Sequence, residues 1–272
     1  MPRLSIIIVA FNSRQDLDAC LRSLTGGATV LDREIVVVDN ASTDGTAAHV
    51  RQRWPGIRLI ETGANLGFAR ANNVGIRQTF GDLVLLLNPD TSVPAAAIDR
   101  LVAALERDAD AAVAGPRIVD AEGQAELSFG PMISPLGELR QKILVTGGGG
   151  MFRPIVERMT RRTRYVDWVS GACLLARRAD LEAVGLFDER FFLYTEDVDL
   201  CASIRSHGRR VLFVGDVEIV HHRGRSRASA SAASEEAYRR SQIAFYEKHH
   251  PAWAPALRAY LKLFGKHPGS PS

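Results

Sequence analysis

Cysteine is scarce in this 272-residue chain, limited to Cys20, Cys173 and Cys201, which are far apart and odd in number. Without metal-ligand spacing they argue against both a disulfide framework and a cysteine-held metal, and read as small buried apolar residues in a reducing compartment. Long hydrophobic runs are missing too, since none approaches the roughly 20 apolar residues that a bilayer-spanning helix needs. The chain opens on a strand-like segment rather than the layout of a signal peptide. The expectation is a cytoplasmic protein, with contact to the inner face of a membrane left open. Nor does one sign of charge dominate: 34 Lys and Arg against 31 Asp and Glu leave a formal net charge of +3, from which no nucleic-acid partner follows. At 46% apolar and 24% charged residues, the composition is that of a folded globular protein long enough to bury a sizeable core.

What is present is unevenly placed. Arg153, Arg158, Arg161, Arg162 and Arg164 crowd one stretch, and Arg205, Arg209, Arg210, Arg223, Arg225 and Arg227 crowd another. Such clusters suit phosphates or acidic headgroups, although any single arginine could equally sit on a solvated face. They lack the interleaved aromatics that stack on bases.

The first half alternates between strand and helix. Leu4 to Ala10 reads as a strand covered on both faces. Ser13 can cap a helix with Leu17, Cys20, Leu21 and Leu24 on one face, ended by Gly26. Glu34 to Val38 is a second strand, Thr43 or Asp44 starts a second helix, and Ile57 to Ile60 is a third strand. A helix should follow Gly67 and run to about Thr79. Leu83 to Leu87 is the fourth strand, and Pro94 opens the next helix. This order predicts a mostly parallel sheet with helices on both faces, whose ligands bind outside the carboxyl ends of the strands.

The second half is less regular. Pro131 to Tyr165, with Gly147 to Gly150, reads as a long structureless and therefore functional loop, a candidate for acceptor and membrane contact. Val166 to Ala176 looks like a strand, Glu196 to Ser206 like a helix, and Val211 to Val214 and Val217 to Val220 like two short strands. Ser234 to His249 and Pro255 to Phe264 look like closing helices. The predicted division is 1–115 for a nucleotide-sugar half, 116–227 for an acceptor and catalytic half, and 228–272 for carboxyl-terminal helices.

Residues just past the strands carry the candidate chemistry. Asp39, before Asn40, can accept a base N–H or a ribose hydroxyl, or form a strand-end turn; the strand-end position favours binding for Asp39 and capping for Asp44. In the turn around Gly63, Asn65 and Gly67, glycines let backbone approach a ligand and the helix end favours an anion, with Arg70 one turn inside; a plain loop-to-helix junction explains it equally well. Asn88-Pro89-Asp90 can present a carboxylate to Mg²⁺ or Mn²⁺, or be a capped turn. Glu196, Asp197 and Asp199 can answer a helix dipole or keep a general base ionised. His221 and His222 can be structural, as lone histidines more often are, although a neutral imidazole beside arginines suits a metal–diphosphate site.

In order along the chain, Ser-Ile-Ile-Ile-Val-Ala-Phe-Asn, Val-Asp-Asn-Ala-Ser-Thr-Asp-Gly-Thr, Asn-Leu-Gly-Phe-Ala, Leu-Asn-Pro-Asp, Ser-Gly-Ala-Cys-Leu-Leu-Ala-Arg and Tyr-Thr-Glu-Asp-Val-Asp-Leu resemble the family 2 glycosyltransferases of the GT-A fold. The branch they resemble is the bacterial rhamnosyltransferases acting on polyprenyl-diphosphate-linked sugars. The resemblance implies an α/β Rossmann-like sheet, a smaller mixed α+β acceptor side and carboxyl-terminal helices. It implies donor contacts at Ala10, Asn12, Asp39, Asn65, Arg70, Asn88 and Asp90, a divalent cation (Mg²⁺ or Mn²⁺) at Asp90 and His221, and Asp197 as base with Glu196 orienting it or the acceptor. His221 fits the family's spacing to Gly224 and Ser226 better than His222 does. Asn88, where the wider family often has aspartate, is a poorer ligand for a hard cation. The implied reaction is inverting transfer from dTDP-L-rhamnose to a glycan or polyprenyl-diphosphate-linked acceptor. A UDP-hexose or UDP-galactofuranose donor is the alternative. A nucleotidyltransferase is disfavoured because the first strand ends Val-Ala-Phe-Asn-Ser-Arg rather than in a Gly-rich loop, and a binding module would leave the ordered acids unexplained.

Overall fold

The computed structural model describes residues 3–27, 29–134, 153–222, 232–264 and 268. Leu4–Ala10 (β1) is buried along its whole length. It lies parallel to Arg33–Asp39 (β2) on one side and Leu83–Leu87 (β4) on the other, with Arg58–Glu61 (β3) beyond β2. Between them run the helices Arg14–Thr25 (α1), Thr46–Arg53 (α2) and Phe68–Arg77 (α3), and Ala97–Arg107 (α4) follows.

The sheet then continues through residues predicted for the other half. Its order is β3-β2-β1-β4-β11-β6-β12-β5, where β5 is Thr91–Ser92, β6 Ala111–Val119, β11 Cys173–Arg177 and β12 Arg210–His221. β11 is antiparallel to both its neighbours, whereas β6 and β12 run parallel to each other. Ala125–Glu126 (β7) pairs with β6, and Arg164–Val166 (β9) with β12. Phe129–Gly130 (β8) and Trp168–Val169 (β10) form a separate small ribbon. The remaining helices are Arg153–Thr160 (α5), Arg178–Ala183 (α6), Glu196–Ser206 (α7), Ala232–His249 (α8) and Ala254–Leu263 (α9).

Side chains alternate across a strand, so β1 serves two cores. Leu4, Ile6, Ile8 and Ala10 meet Leu17, Cys20, Leu21 and Leu24 of α1 and Leu101 and Leu105 of α4. Ile7 and Val9 face the opposite core, shared by Ile76 of α3, Leu200 and Ile204 of α7 and Phe245 of α8. All three cysteines are free and buried. Burial pushes the Cys20 and Cys201 thiols up to about 12, which makes them inert packing groups.

Several boundaries differ from expectation, each for a local reason. Ser13 occupies the cap position of α1 but its hydroxyl makes no capping bond; the Arg14 N–H goes to Asp44 Oδ2 at 3.0 Å instead. Asp44 also takes the Thr46 N–H, so α2 starts at Thr46 rather than at Thr43 or Asp44. Pro94 does not open α4, because Ala96 is left-handed (φ 60°) and the helix begins at Ala97. The predicted strand over 166–176 is broken at 170–172 into β10 and β11. The two short strands expected between Val211 and Val220 are one strand with a bulge between Val214 and Glu218. The segment 131–165 is not structureless, since α5 and β9 lie in it; its Gly147–Gly150 run falls outside the described residues.

Candidate active site

The first group of candidate residues stands at the carboxyl ends of β1 and β2. The Ala10 carbonyl accepts the Asn40 N–H at 2.8 Å. Asn12 is left-handed (φ 49°), and its side chain reaches over to accept the Thr43 N–H at 2.7 Å. Asp39 is 3% exposed. One of its oxygens takes the Ser42 N–H at 3.1 Å, while Oδ1 is buried with no partner among the described residues. An unsatisfied carboxylate oxygen is costly unless a ligand donor reaches it. Asn40 holds the next turn, accepting the Leu66 N–H at 2.9 Å and donating to Asn65 Oδ1 at 2.9 Å. Asn65 in turn accepts the Gly67 N–H at 3.1 Å, so its amide shapes the loop. Arg70 lies 3.5 Å from Glu189 and is mostly exposed.

The second group is assembled by β4, β5 and β12. Asn88 donates its N–H to the Ala172 carbonyl at 2.9 Å and accepts the Thr91 hydroxyl at 2.8 Å, closing the Asn-Pro-Asp-Thr turn. Pairing of β5 with β12 sets Thr91 opposite His221. His221 Nε2 then lies 3.0 Å from Asp90 Oδ1, with both side chains about nine-tenths buried. Glu126 of β7 stands behind the ring, 3.7 Å from Nδ1. His222 points elsewhere, to Ser92 Oγ at 2.8 Å. Of the two histidines, His221 is the one that faces Asp90. No group of three His, Cys, Asp or Glu side chains among the described residues is gathered as a metal cage. One carboxylate and one imidazole do form a pair that a diphosphate could complete, since such cations keep only one or two protein ligands when phosphate oxygens fill the rest.

The third group opens α7. Tyr194 and Thr195 are both left-handed (φ 68° and 70°), which swings the chain into the helix start. Asp197 is half-buried. Its Oδ2 accepts the Gly171 N–H at 2.9 Å and its Oδ1 the Val198 N–H at 2.8 Å. Burial raises its pKa against the pull of these donors. Glu196 is deeper, and burial together with the neighbouring Asp197 charge pushes its pKa well above the ordinary range. Burial and the adjacent like charge thus both favour the neutral form of Glu196. Glu196 Oε2 and Thr195 Oγ1 are buried without partners among the described residues.

The three groups meet at one edge of the sheet. Asp197 binds Gly171, and the adjacent Ala172 binds Asn88, two residues before Asp90. On the other flank, Phe68 at the start of α3 donates its N–H to the Phe192 carbonyl at 2.7 Å. Gly67 has φ 78°, and a Cβ there would collide with that carbonyl, so only glycine permits the approach. A cleft of about 570 Å³ lined by Arg100, Arg107, Asp108 and Asp216 lies elsewhere, beside the amino end of β6, and includes none of these residues.

Sequence reasoning missed three features. Glu126 has no local signature. Gly171 stood within a quoted motif without a role. Asp199 looked like a dipole acid, yet it is 2% exposed and grips Lys248 Nζ at 2.8 Å and His249 Nε2 at 2.6 Å on α8. Several clustered arginines already have partners within the protein while staying at its surface: Arg161 pairs with Glu157, Arg205 with Asp167 and Arg209 with Asp180, and Arg164 and Arg210 stack over Phe129 and Tyr165. Arg223, Arg225 and Arg227 lie outside the described residues.

Residues 5–165 match the family described as glycosyl transferase family 2. The chain belongs to that family. Over 96% of its length this glycosyltransferase is 34% identical to the N-acetylglucosaminyl-diphospho-decaprenol L-rhamnosyltransferase of Mycobacterium tuberculosis, covering 91% of that protein. It is 26% identical to the dTDP-rhamnosyl transferase RfbF of Shigella flexneri, over 79% of this chain and 67% of that one. Among solved structures, the mannosyltransferase PcManGT of Pyrobaculum calidifontis, in complex with GDP-Man and Mn²⁺, superposes with a TM-score of 0.63 at 21% identity. That match covers 96% of this chain and 70% of that chain, and it speaks to the fold alone. The glycosyltransferase therefore has the GT-A fold that its motifs implied. No helix among the described residues is long and apolar enough to cross a membrane.

Proposed function

We propose that this glycosyltransferase moves L-rhamnose from dTDP-L-rhamnose to a hydroxyl of a polyprenyl-diphosphate-linked glycan, with inversion, at the cytoplasmic face of a membrane. The observation that carries the proposal is the hydrogen-bonded path from Asp197 through Gly171, Ala172 and Asn88 to the Asp90–His221 pair. It sets a candidate base and a candidate diphosphate site at one sheet edge. The donor and acceptor classes follow the relatives' names, which describe rhamnosyl transfer and a lipid-diphosphate acceptor.

In this reading Asp39 accepts an N–H or hydroxyl of the nucleoside through its partnerless Oδ1, while Ala10, Asn12 and Asn65 shape the walls around it. Asp90 and His221 would hold a divalent cation, Mg²⁺ or Mn²⁺, whose charge balances the departing diphosphate. Asn88 orients that turn, and Arg70 can leave Glu189 for a phosphate oxygen. Asp197 accepts the acceptor hydroxyl's proton as that oxygen bonds to the anomeric carbon and the bond to the diphosphate breaks. A raised pKa makes Asp197 a stronger base than an exposed carboxylate. Glu196, whose neutral form burial favours, orients Asp197 or the acceptor. Saturation-transfer NMR with a panel of sugar nucleotides tests the donor: dTDP-L-rhamnose should give the strongest contacts, and a preference for UDP-sugars would overturn that choice.

A further inference from the structure

The surface of α9 carries an apolar stripe that the fold leaves uncovered. Ala254 and Leu261 are buried, and Leu257 packs on the same core. Beside that buried face Trp253 is 56%, Tyr260 48%, Leu263 80% and Phe264 58% exposed. Their spacing of seven, three and four residues lines them along one helical face. The Tyr260 and Phe264 rings lie 4.7 Å apart and form the aromatic centre of a ridge, with Trp253 two turns towards the helix start. Four large apolar side chains on a ten-residue helix and its two flanking caps, Trp253 and Phe264, form a patch, which solitary exposed residues do not.

Charge decides what suits the ridge. From His250 onward the sequence has no Asp or Glu, but it carries Arg258, Lys262 and Lys266. Arg258 is paired with Glu247. Lys262 lies in the last turn, exposed beside Leu263, with no ion pair among the described residues. Trp and Tyr beside aliphatic residues and lysines, without acids, is the composition that lies in the headgroup boundary of an anionic bilayer. The ridge also adjoins the segment entering the arginine-rich stretch, since His250 Nε2 contacts the Ile133 carbonyl at 2.8 Å.

We infer that α9 is a membrane-docking helix, inserting Trp253, Tyr260, Leu263 and Phe264 into an anionic lipid surface with Lys262 on the headgroups. The inference rests on the lipid-linked acceptor reading for its purpose, but its test does not need that acceptor.

Full-length protein is sedimented with phosphatidylglycerol–phosphatidylcholine vesicles and with phosphatidylcholine vesicles, both free of polyprenyl lipids, while the share of tryptophan emission that Trp253→Phe removes is followed with brominated lipids. The wild type should pellet with the anionic vesicles and be quenched there. Combined Trp253, Tyr260, Leu263 and Phe264→Ser substitution should weaken vesicle affinity about 100-fold or more. Lys262→Ala should weaken it about five-fold. Unchanged circular dichroism and donor hydrolysis establish that the variants are folded. Absent anionic-vesicle binding, or equal binding by the serine variant, overturns the inference. So does a lipid-free dimer that the serine substitutions dissociate, which would make the ridge an interface between copies. If vesicles bind but no rhamnose reaches a lipid-linked acceptor, the acceptor reading fails and the docking helix stands.

Discussion

The two ends of the candidate site are built on opposite electrostatic principles. At the Asp90 end, strand ends bring a carboxylate and an imidazole face to face, and each is the other's partner at 3.0 Å. At the Asp197 end, a helix start buries two adjacent carboxyl groups, and burial raises the pKa of both. One end is compensated in the resting protein, and the other keeps unmet hydrogen-bonding capacity at Glu196 and Thr195. Both Asp197 oxygens already accept backbone N–H groups, so what suits it to proton transfer is the pKa that burial raises against those donors. Holding a diphosphate with its counter-ion falls to the compensated end.

The sharpest way to break this contrast is Asp197→Asn, which keeps shape and removes basicity. The turnover number should fall by about 10²–10⁴-fold, with dTDP-sugar affinity measured by calorimetry unchanged. In the wild type, the acid limb of the turnover profile should lie above the ordinary carboxylate range, because Asp197 is protonated as pH drops through its raised pKa. His221→Ala attacks the other end. It should lower kcat/KM on the order of 10²-fold and weaken Mn²⁺ binding measured by electron paramagnetic resonance. Exhaustive EDTA should mimic it, and activity indifferent to EDTA would count against a cation at Asp90. Gly67→Ala tests the contact between the flanks: a Cβ on a left-handed residue against the Phe192 carbonyl should cost about 2 kcal/mol in chemical denaturation.

The smallest effect separates the two carboxyl groups themselves. Glu196 has a folded-state pKa above its unfolded value, so its contribution to stability is complete at low pH. That contribution is lost as pH rises through the raised value. Glu196→Gln removes this dependence. The melting temperature of the wild type should therefore fall relative to the variant as pH is raised from the ordinary carboxylate range upward, and parallel curves would place the proton elsewhere.

Legibility followed burial. β1, β2 and β4 were plain because strands covered on both faces must be unbroken Ile, Val and Leu. β6 escaped, since Ala-Ala-Val-Ala-Gly-Pro-Arg-Ile-Val looks like no strand until its neighbours are known. Gly115 is where Val169 packs against the backbone, and Arg117 is buried because Glu157 and Glu218 meet it there. Asp39 could be singled out because ligands of such sheets gather past the strand ends, whereas the roles of Asp90 and Asp197 came from the motif resemblance. The linkage of Asp197 to the Asp90 turn through Gly171 and Ala172 could not be foreseen, because it depends on the break between β10 and β11. Spacing to Gly224 and Ser226 favoured His221 over His222 through the resemblance alone; the register of β5 against β12 is what faces His221 toward Asp90 in the fold.

The grip of Asp199 on Lys248 and His249 has one more implication. Tyr194 and Thr195 adopt a backbone shape that an isolated chain would abandon, at roughly 1–2 kcal/mol each. Ser241 of α8 bonds the Leu193 carbonyl just before them, and Asp199 anchors to the same helix just after them. A sprung hinge is thereby latched on both sides by the carboxyl-terminal part of the chain, and the aim of Asp197 depends on a helix that lies fifty residues further along the sequence.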